Sequence, residues 1–284
     1  MNQTSYMLRA GTLAAEIRPA YGGRITRFYR EEAGANQEFF RPTPAAPGDV
    51  HAPFKTGCYP LTPFSNRIDH GRFVFQGKTV QLPSHPRAAP HAMHGHGSVS
   101  IWEVTAQADA QIRIAYRYQP ESWPFAYEAA QEINLDAAGL SVAIYVTNQS
   151  AETMPVGLGL HPFFDYEPGT ILRFTARRHW LASADFLPYS HVEVPPELDF
   201  SSGRDVGGNE RNHSFDDWDG RALIRWPDRP EALEILVDTT LSHLILHRPP
   251  SLPYFCLEPV SHVTNAFNLA PAGHADTGFR DNAT

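Results

Sequence analysis

The chain is 284 residues long and carries 23 Lys plus Arg against 31 Asp plus Glu, a formal net charge of −8. Its 42% hydrophobic and 19% charged residues supply a sizeable core and exclude disorder. The acidity argues against nucleic acid and anionic membrane surfaces as partners, because both reward clustered Lys and Arg.

The N-terminal segment Met1–Arg9 has no basic start followed by an apolar run, so a secretory signal is not expected. No apolar stretch approaches the roughly 20 residues that span a bilayer. A soluble cytoplasmic protein is the expectation, with Cys58 and Cys256 as reduced buried thiols and one disulfide between them as the alternative. Twenty-five prolines punctuate the chain, and the longest stretches without one are 125–154 and 197–226. Long helices are thereby excluded, since an interior proline removes a hydrogen bond and clashes with the preceding turn.

In chain order, a Pro/Ala-rich stretch at 41–53 reads as a surface loop. Gln111–Tyr118 alternates with period two and sets Ile112, Ile114, Tyr116 and Tyr118 on one face. After the turn signal Asp136–Gly139, the segment Leu140–Thr147 does the same with Leu140, Val142, Ile144 and Val146. A Gly/Ser-rich loop at 201–209 and turns at Trp218–Gly220 and Trp226–Asp228 precede two short apolar strands, Leu233–Asp238 and His243–His247. Many short strands with this punctuation predict an antiparallel sandwich or barrel. No linker or internal repeat is evident, so one domain over residues 1–284 is expected.

Three polar segments fit neither a simple strand nor a simple turn. Tyr59–Ile68 holds Asn66 and Arg67 between apolar residues, which suits either a fixed cluster of donors or a surface ion pair. Pro90–Gly97 has three histidines, His91, His94 and His96. That density suggests a metal, with His94 and His96 on one strand face. However, the next carboxylate, Glu103, is distant and no His-Glu-x-x-His run exists, so imidazoles that hydrogen-bond a polar ligand are expected instead, with no metal. Gly157–Asp165 sets His161 among Leu, Pro and Phe, where burial opposes its charge and a nearby carboxylate would restore it. Glu258 follows the apolar run Tyr254–Leu257, a costly place for an unpaired carboxylate. Brought together across a sheet, Glu258 and His161 would make an acid/base pair. No nucleophile elbow and no nucleotide-binding glycine loop is present.

Taken together, Gly22-Gly23-Arg24-Ile25, Asn66-Arg67-Ile68, Met93-His94-Gly95, Trp123–Glu128, Gly159–Phe164, Trp218-Asp219-Gly220 and Leu257-Glu258-Pro259 resemble, in order and spacing, the aldose 1-epimerase (galactose mutarotase) family over about residues 10–279. The resemblance implies an all-β fold, a large antiparallel β-sandwich (galactose mutarotase-like supersandwich) with little helix. It implies an isomerase that interconverts the α and β anomers of a free sugar with no cofactor, acting on a neutral aldose such as galactose or glucose. Glu258 matches the family's general base, His161 its general acid, and Arg67 and His94 its substrate-binding donors. Asn212 falls where relatives carry an Asp that accepts from sugar hydroxyls, with Asp216 or Asp217 as substitutes if the loop is shifted. The tail Gly278–Thr284 stops where relatives continue into a final strand. The expected assembly is a monomer or homodimer. A non-catalytic sugar binder is the main alternative, and a glycoside hydrolase would need a second buried carboxylate. A phosphorylated sugar is disfavoured because no Arg/Lys cluster beyond Arg67 is visible along the chain.

Overall fold

The computed structural model describes residues 4–44, 55–208, 212–274 and 277–278. Most of the 41–53 loop and the tail beyond Gly278 lie outside the described residues.

Period-two alternation organises the whole molecule, because it gives each strand two faces of different character. A meander of Glu103–Ala108, Gln111–Tyr118, Tyr127–Leu135 and Leu140–Asn148 forms a four-stranded antiparallel sheet. Ile112, Ile114 and Tyr116 point inward as expected. The Leu140–Val146 face is only half-buried, because this strand is the edge of its sheet. A second four-stranded sheet comprises Arg204–Asp205, Ile171–Phe174, Arg221–Arg225 and Ala232–Leu236.

Both small sheets pack against one eleven-stranded antiparallel sheet. Its order runs Tyr6–Ala10, Leu13–Arg18, Arg24–Glu31, Cys58–Leu61, Gly159–Asp165, Tyr254–Val260, His243–His247, Asn212–Asp216, Arg178–Ala182 and Pro188–Glu193, with Asn36–Glu38 paired alongside Arg24–Glu31. The first half meets the meander through Leu8, Ile17, Ile25 and Phe28. The second half meets the other sheet through Phe164, Phe215, Leu244, Leu246, Phe255 and Leu257. The only α-helix among the described residues is the single turn Ala266–Leu269. The fold is thus the all-β, helix-poor sandwich that the strand pattern and the resemblance predict. Both cysteines are free and buried, and no helix is long and apolar enough to cross a membrane.

The consequence for function lies in what the cores leave over. On Tyr254–Val260, Phe255 and Leu257 enter the second core, so Tyr254, Cys256 and Glu258 point to the opposite face. On His243–His247, Leu244 and Leu246 do the same and release His247. Leu257 is fully buried directly beside Glu258. Leu257→Ala is expected to cost about 2–5 kcal/mol of folding free energy, read by denaturant unfolding. A loss within the few tenths typical of surface changes would show that this core does not support the central strands.

Candidate active site

The neighbouring strands Gly159–Asp165 and Tyr254–Val260 pair at Gly159–Val260 and again from Phe163–Cys256 onward, a register that sets His161 opposite Glu258. Nε2 of His161 lies 3.3 Å from Oε1 of Glu258, with the two side chains 7% and 3% exposed. Pro162 and Pro259 follow the two residues directly. Proline cannot donate to a ladder and is normally kept out of central strands. Here the interrupted pairing coincides with the contact between His161 and Glu258.

Aromatic rings wrap the imidazole. Phe163 stacks on His161 with centroids 4.6 Å apart and planes 9° from parallel. Tyr59, directly opposite in the register on Cys58–Leu61, lies at 4.6 Å on a tilted plane. His94 approaches edge-on at 5.3 Å. Burial among these groups holds His161 well below the ordinary histidine range, helped by His94, His247 and Arg24. The same burial pushes the Glu258 carboxyl up to about 8, opposed by the Arg67 guanidinium. Both directions favour neutral forms, so near neutral pH the pair holds one proton between two adjacent acceptors. Oε2 of Glu258 and Nδ1 of His161 are buried without a hydrogen-bond partner among the described residues. Buried polar atoms are normally satisfied, and here two neighbouring side chains each keep one unsatisfied atom.

Arg67 and His94 are positioned by one small structure. Arg67–Ile68 pairs antiparallel with Ala92–Met93, and the Asn66 carbonyl accepts from the His94 backbone N–H at 3.0 Å. The Asn66 backbone N–H donates to Nδ1 of His94 at 3.1 Å. His94 therefore carries its proton on Nε2 and is a neutral donor, its pKa lowered to about 3 by its buried surroundings. Oδ1 of Asn66 accepts from Nη1 of Arg67 at 3.1 Å. Gly95 takes φ +61, and a Cβ there would sit 2.2 Å from the Thr62 carbonyl oxygen, so only glycine fits. The Arg67 guanidinium packs 4.8 Å from the ring centroid of Phe186, a residue at the tip of a strand connection with φ 67. A bulky side chain in left-handed backbone is a real outlier. The tip is tied down where Nε2 of His91 donates to Asp185 at 3.2 Å.

These groups surround a cavity of about 390 Å³, within the range of small-molecule sites. Its walls bring together all five sequence candidates, His161, Glu258, Arg67, His94 and Asn212.

The aldose 1-epimerase family model matches residues 5–279. The chain belongs to the aldose 1-epimerase family. It is 32% identical to the uncharacterised protein YphB of Escherichia coli (strain K12) over 280 residues, covering 95% of this chain and 92% of that protein. It is similar to a crystal structure from Escherichia coli K12 whose name proposes an aldose 1-epimerase, with a TM-score of 0.81, 29% identity and coverage of 93% and 90%. A galactose mutarotase-like protein of Clostridium acetobutylicum shares the fold, with a TM-score of 0.84, 20% identity and coverage of 96% and 89%.

Set against this epimerase family, some sequence expectations land elsewhere. His91 serves the Asp185 contact, and His96 stacks on Tyr118 at 4.2 Å, so the three histidines do not converge on one ligand. Asp216 is buried against Arg178 and Trp180, and Asp217 pairs with Arg178. Neither lines the cavity, which leaves Asn212 there without an aspartate substitute. Phe163 is buried with Tyr254 and Cys256 in a small hydrophobic cluster and also forms cavity wall. The sequence reading also missed His247 and Phe186. His247 had a signal, since the core demand of Leu244 and Leu246 fixes its face; Phe186 sits at a connection tip where periodicity says nothing.

Donor atoms of His161, Cys256 and Glu258 lie within 4.8 Å of one another, as do those of Asp69, His70 and His91. In the first group burial pushes both the Cys256 thiol and the Glu258 carboxyl up, which opposes the deprotonated forms a metal requires. In the second, Nδ1 of His91 already accepts from the His70 backbone N–H.

The raised Glu258 pKa has a measurable cost. Folding lifts this carboxyl from an ordinary 4.5 to about 8. Between those values the folded chain keeps a proton that the unfolded chain has lost, so its contribution to stability declines as pH rises through the window. Glu258→Gln removes the effect. The variant is expected to match the wild type near pH 5 and to gain on it by up to ~1.4 kcal/mol per pH unit towards pH 8. Thermal unfolding at both pH values tests this, and a constant difference would mean that the carboxyl is not desolvated as described.

Proposed function

We propose that the protein is an aldose 1-epimerase that interconverts the α and β anomers of a free aldose by general acid/base catalysis. The observation that carries this reading is the buried pair of His161 and Glu258, 3.3 Å apart on the wall of a sugar-sized cavity.

With the proton on His161, ionised Glu258 takes the proton of the anomeric hydroxyl. The bond from C1 to the ring oxygen breaks, and its electron pair stays on the ring oxygen, which takes the proton from the His161 imidazolium. The result is the open-chain aldehyde, with Glu258 protonated and His161 neutral. Burial favours this proton arrangement, so the field of the empty site leans towards the midpoint of the reaction. Rotation about the bond between C1 and C2 presents the other face, and reclosure returns both protons. No water is consumed and no group leaves. Arg67, permanently charged, balances negative charge on Glu258 and on developing oxygen anions. His94 donates from Nε2 without ever becoming charged, and Phe186 offers an exposed ring at the mouth against which a pyranose can stack.

The site runs on a single shared proton. A second enters only when His161 also protonates, well below the usual histidine range, and the first is lost as pH rises through about 8. Polarimetry on freshly dissolved α-glucose and α-galactose is expected to show acceleration over buffer that is level across neutral pH and declines above about 8. Glu258→Gln or His161→Ala should each slow it by about 10²–10⁴-fold. Asn212, an amide where relatives carry a carboxylate, favours one rival, a protein that binds sugar without turning it over. Calorimetric sugar binding with no anomer exchange would establish that rival and end the epimerase reading.

A further inference from the structure

The connection 183–187 joins the paired strands Arg178–Ala182 and Pro188–Glu193 at the end of the large sheet and brings Phe186 to the cavity. The ladder slips by one residue at Leu181 and Ala182, a bulge that bends the pair at the base of this tip. The tip closes on itself: the Ser183 N–H donates to the Leu187 carbonyl at 3.0 Å, and the Phe186 N–H to the Ser183 carbonyl at 3.0 Å. Phe186 itself has φ 67, a conformation that a bulky side chain keeps only where its surroundings enforce it.

Two contacts beyond the tip supply that enforcement. The Phe186 ring lies against the Arg67 guanidinium. Asp185 divides its carboxylate between tip and body: Oδ1 accepts from the Ser183 hydroxyl, and Oδ2 accepts from Nε2 of His91 at 3.2 Å. His91 has few alternatives to this contact. Its side chain is 2% exposed, and its other polar groups are already used. The backbone N–H donates to the Ala88 carbonyl at 2.7 Å, and the carbonyl accepts from the His85 N–H at 2.8 Å. Nδ1 accepts from the His70 backbone N–H at 3.1 Å, which leaves the ring proton on Nε2. The Asp69 carboxylate, 3.3 Å from that Nδ1, is engaged by Nδ1 of His70 at 2.6 Å. The buried Nε2–H therefore has Asp185 as its acceptor, and a buried donor left unmade is costly.

Two routes lead from Asp185 to the site. One is mechanical, through the tip to Phe186. The other is electrostatic, because Asp185 is a charged neighbour of Arg67. The Asp185 side chain is 54% exposed, so solvent screens its charge, whereas the hydrogen bond to His91 is anchored in a buried ring. The mechanical route is the stronger.

We infer that Asp185 and His91 are positioning residues, whose hydrogen bond latches the 183–187 tip and holds the Phe186 ring at the cavity mouth as a platform for the sugar. The inference rests on the epimerase reading and names residues that act on the substrate through Phe186. An aromatic platform fixed before the ligand arrives binds more tightly than a loose one, because less freedom is lost on binding.

Anomer exchange of glucose and galactose by saturation-transfer NMR, paired with sugar Kd by calorimetry, tests this. Asp185→Ala and Phe186→Ala should each raise KM and Kd about tenfold and leave kcat within about twofold, the pattern of binding lost equally from ground and transition states. Asp185→Asn keeps an acceptor for Nε2–H without the charge and should stay near the wild type. The double variant Asp185→Ala/Phe186→Ala should bind no more weakly than Phe186→Ala alone, because both changes remove one interaction. Unchanged KM and Kd in Asp185→Ala, a loss confined to kcat, or additive losses in the double variant overturn the inference. So does an Asp185→Asn variant as weak as Asp185→Ala, which would assign the effect to charge acting on Arg67. All of these leave the epimerase reading standing. A wild type that binds sugar without exchanging anomers ends that reading, and the Kd series still decides the latch. A wild type that neither binds nor exchanges overturns both.

Discussion

The site depends on taking a carboxyl group and an imidazole out of water together. Either one alone on the face of a central strand would be a buried ionisable group without compensation. Side by side at 3.3 Å, Glu258 and His161 need only one proton between them and can exist as a neutral pair or as an ion pair without changing total charge. The proposed epimerisation would use that property, with one arrangement in each closed-ring state and the other in the open chain. Phe163 and Tyr59 make the desolvation possible, while Arg67 keeps the carboxylate form within reach. In the proposed reaction a stronger acid or base would fail in one direction, since each group would have to give back what it takes.

The sandwich makes room for this pair by a division of labour within single strands. The small sheet that holds Ile171–Phe174 and Arg221–Arg225 covers this part of the large sheet and buries the odd residues Phe255 and Leu257 and the even residues Leu244 and Leu246. The alternate residues are released from core duty, and they supply Tyr254, Glu258 and His247 to the cavity. Stability and chemistry thus share strands but not faces. Pro162 and Pro259 break the rule against proline in central strands, and they do so directly beside His161 and Glu258.

What was legible in the sequence follows the range of the physical signal. Strands such as Gln111–Tyr118 and His243–His247 were readable because burial on one face forces a period of two over a few residues. Glu258 and His161 stood out because a carboxylate and an imidazole inside apolar runs demand partners. Arg67 and His94 stood out in polar segments, but their substrate-binding role came from the resemblance, and Asn212 came from the resemblance alone. Three histidines within six residues read locally as a cluster, yet positive backbone φ at His94 and Gly95 turns His94 into the site while His91 and His96 go elsewhere. Phe186 was invisible because a strand connection imposes no periodicity. The cations at the cavity were invisible for another reason, since Arg24, Lys55, Arg67 and Arg87 come from separate segments and meet only on the cavity wall.

That last failure concerns how charge should be read from composition. Net charge governs solubility and the long-range field, but beyond a Debye length of about 8 Å exposed charges are largely screened. At the exterior, carboxylates such as Glu31 and Glu152 are offset by Arg9 and Lys78. Inside a low-dielectric cavity a few groups dominate. There the balance is four cations to one carboxylate among the described residues, with that carboxylate itself protonated near neutral pH. A ligand entering this cavity meets the local balance, and the sign it meets is positive although the chain as a whole is negative.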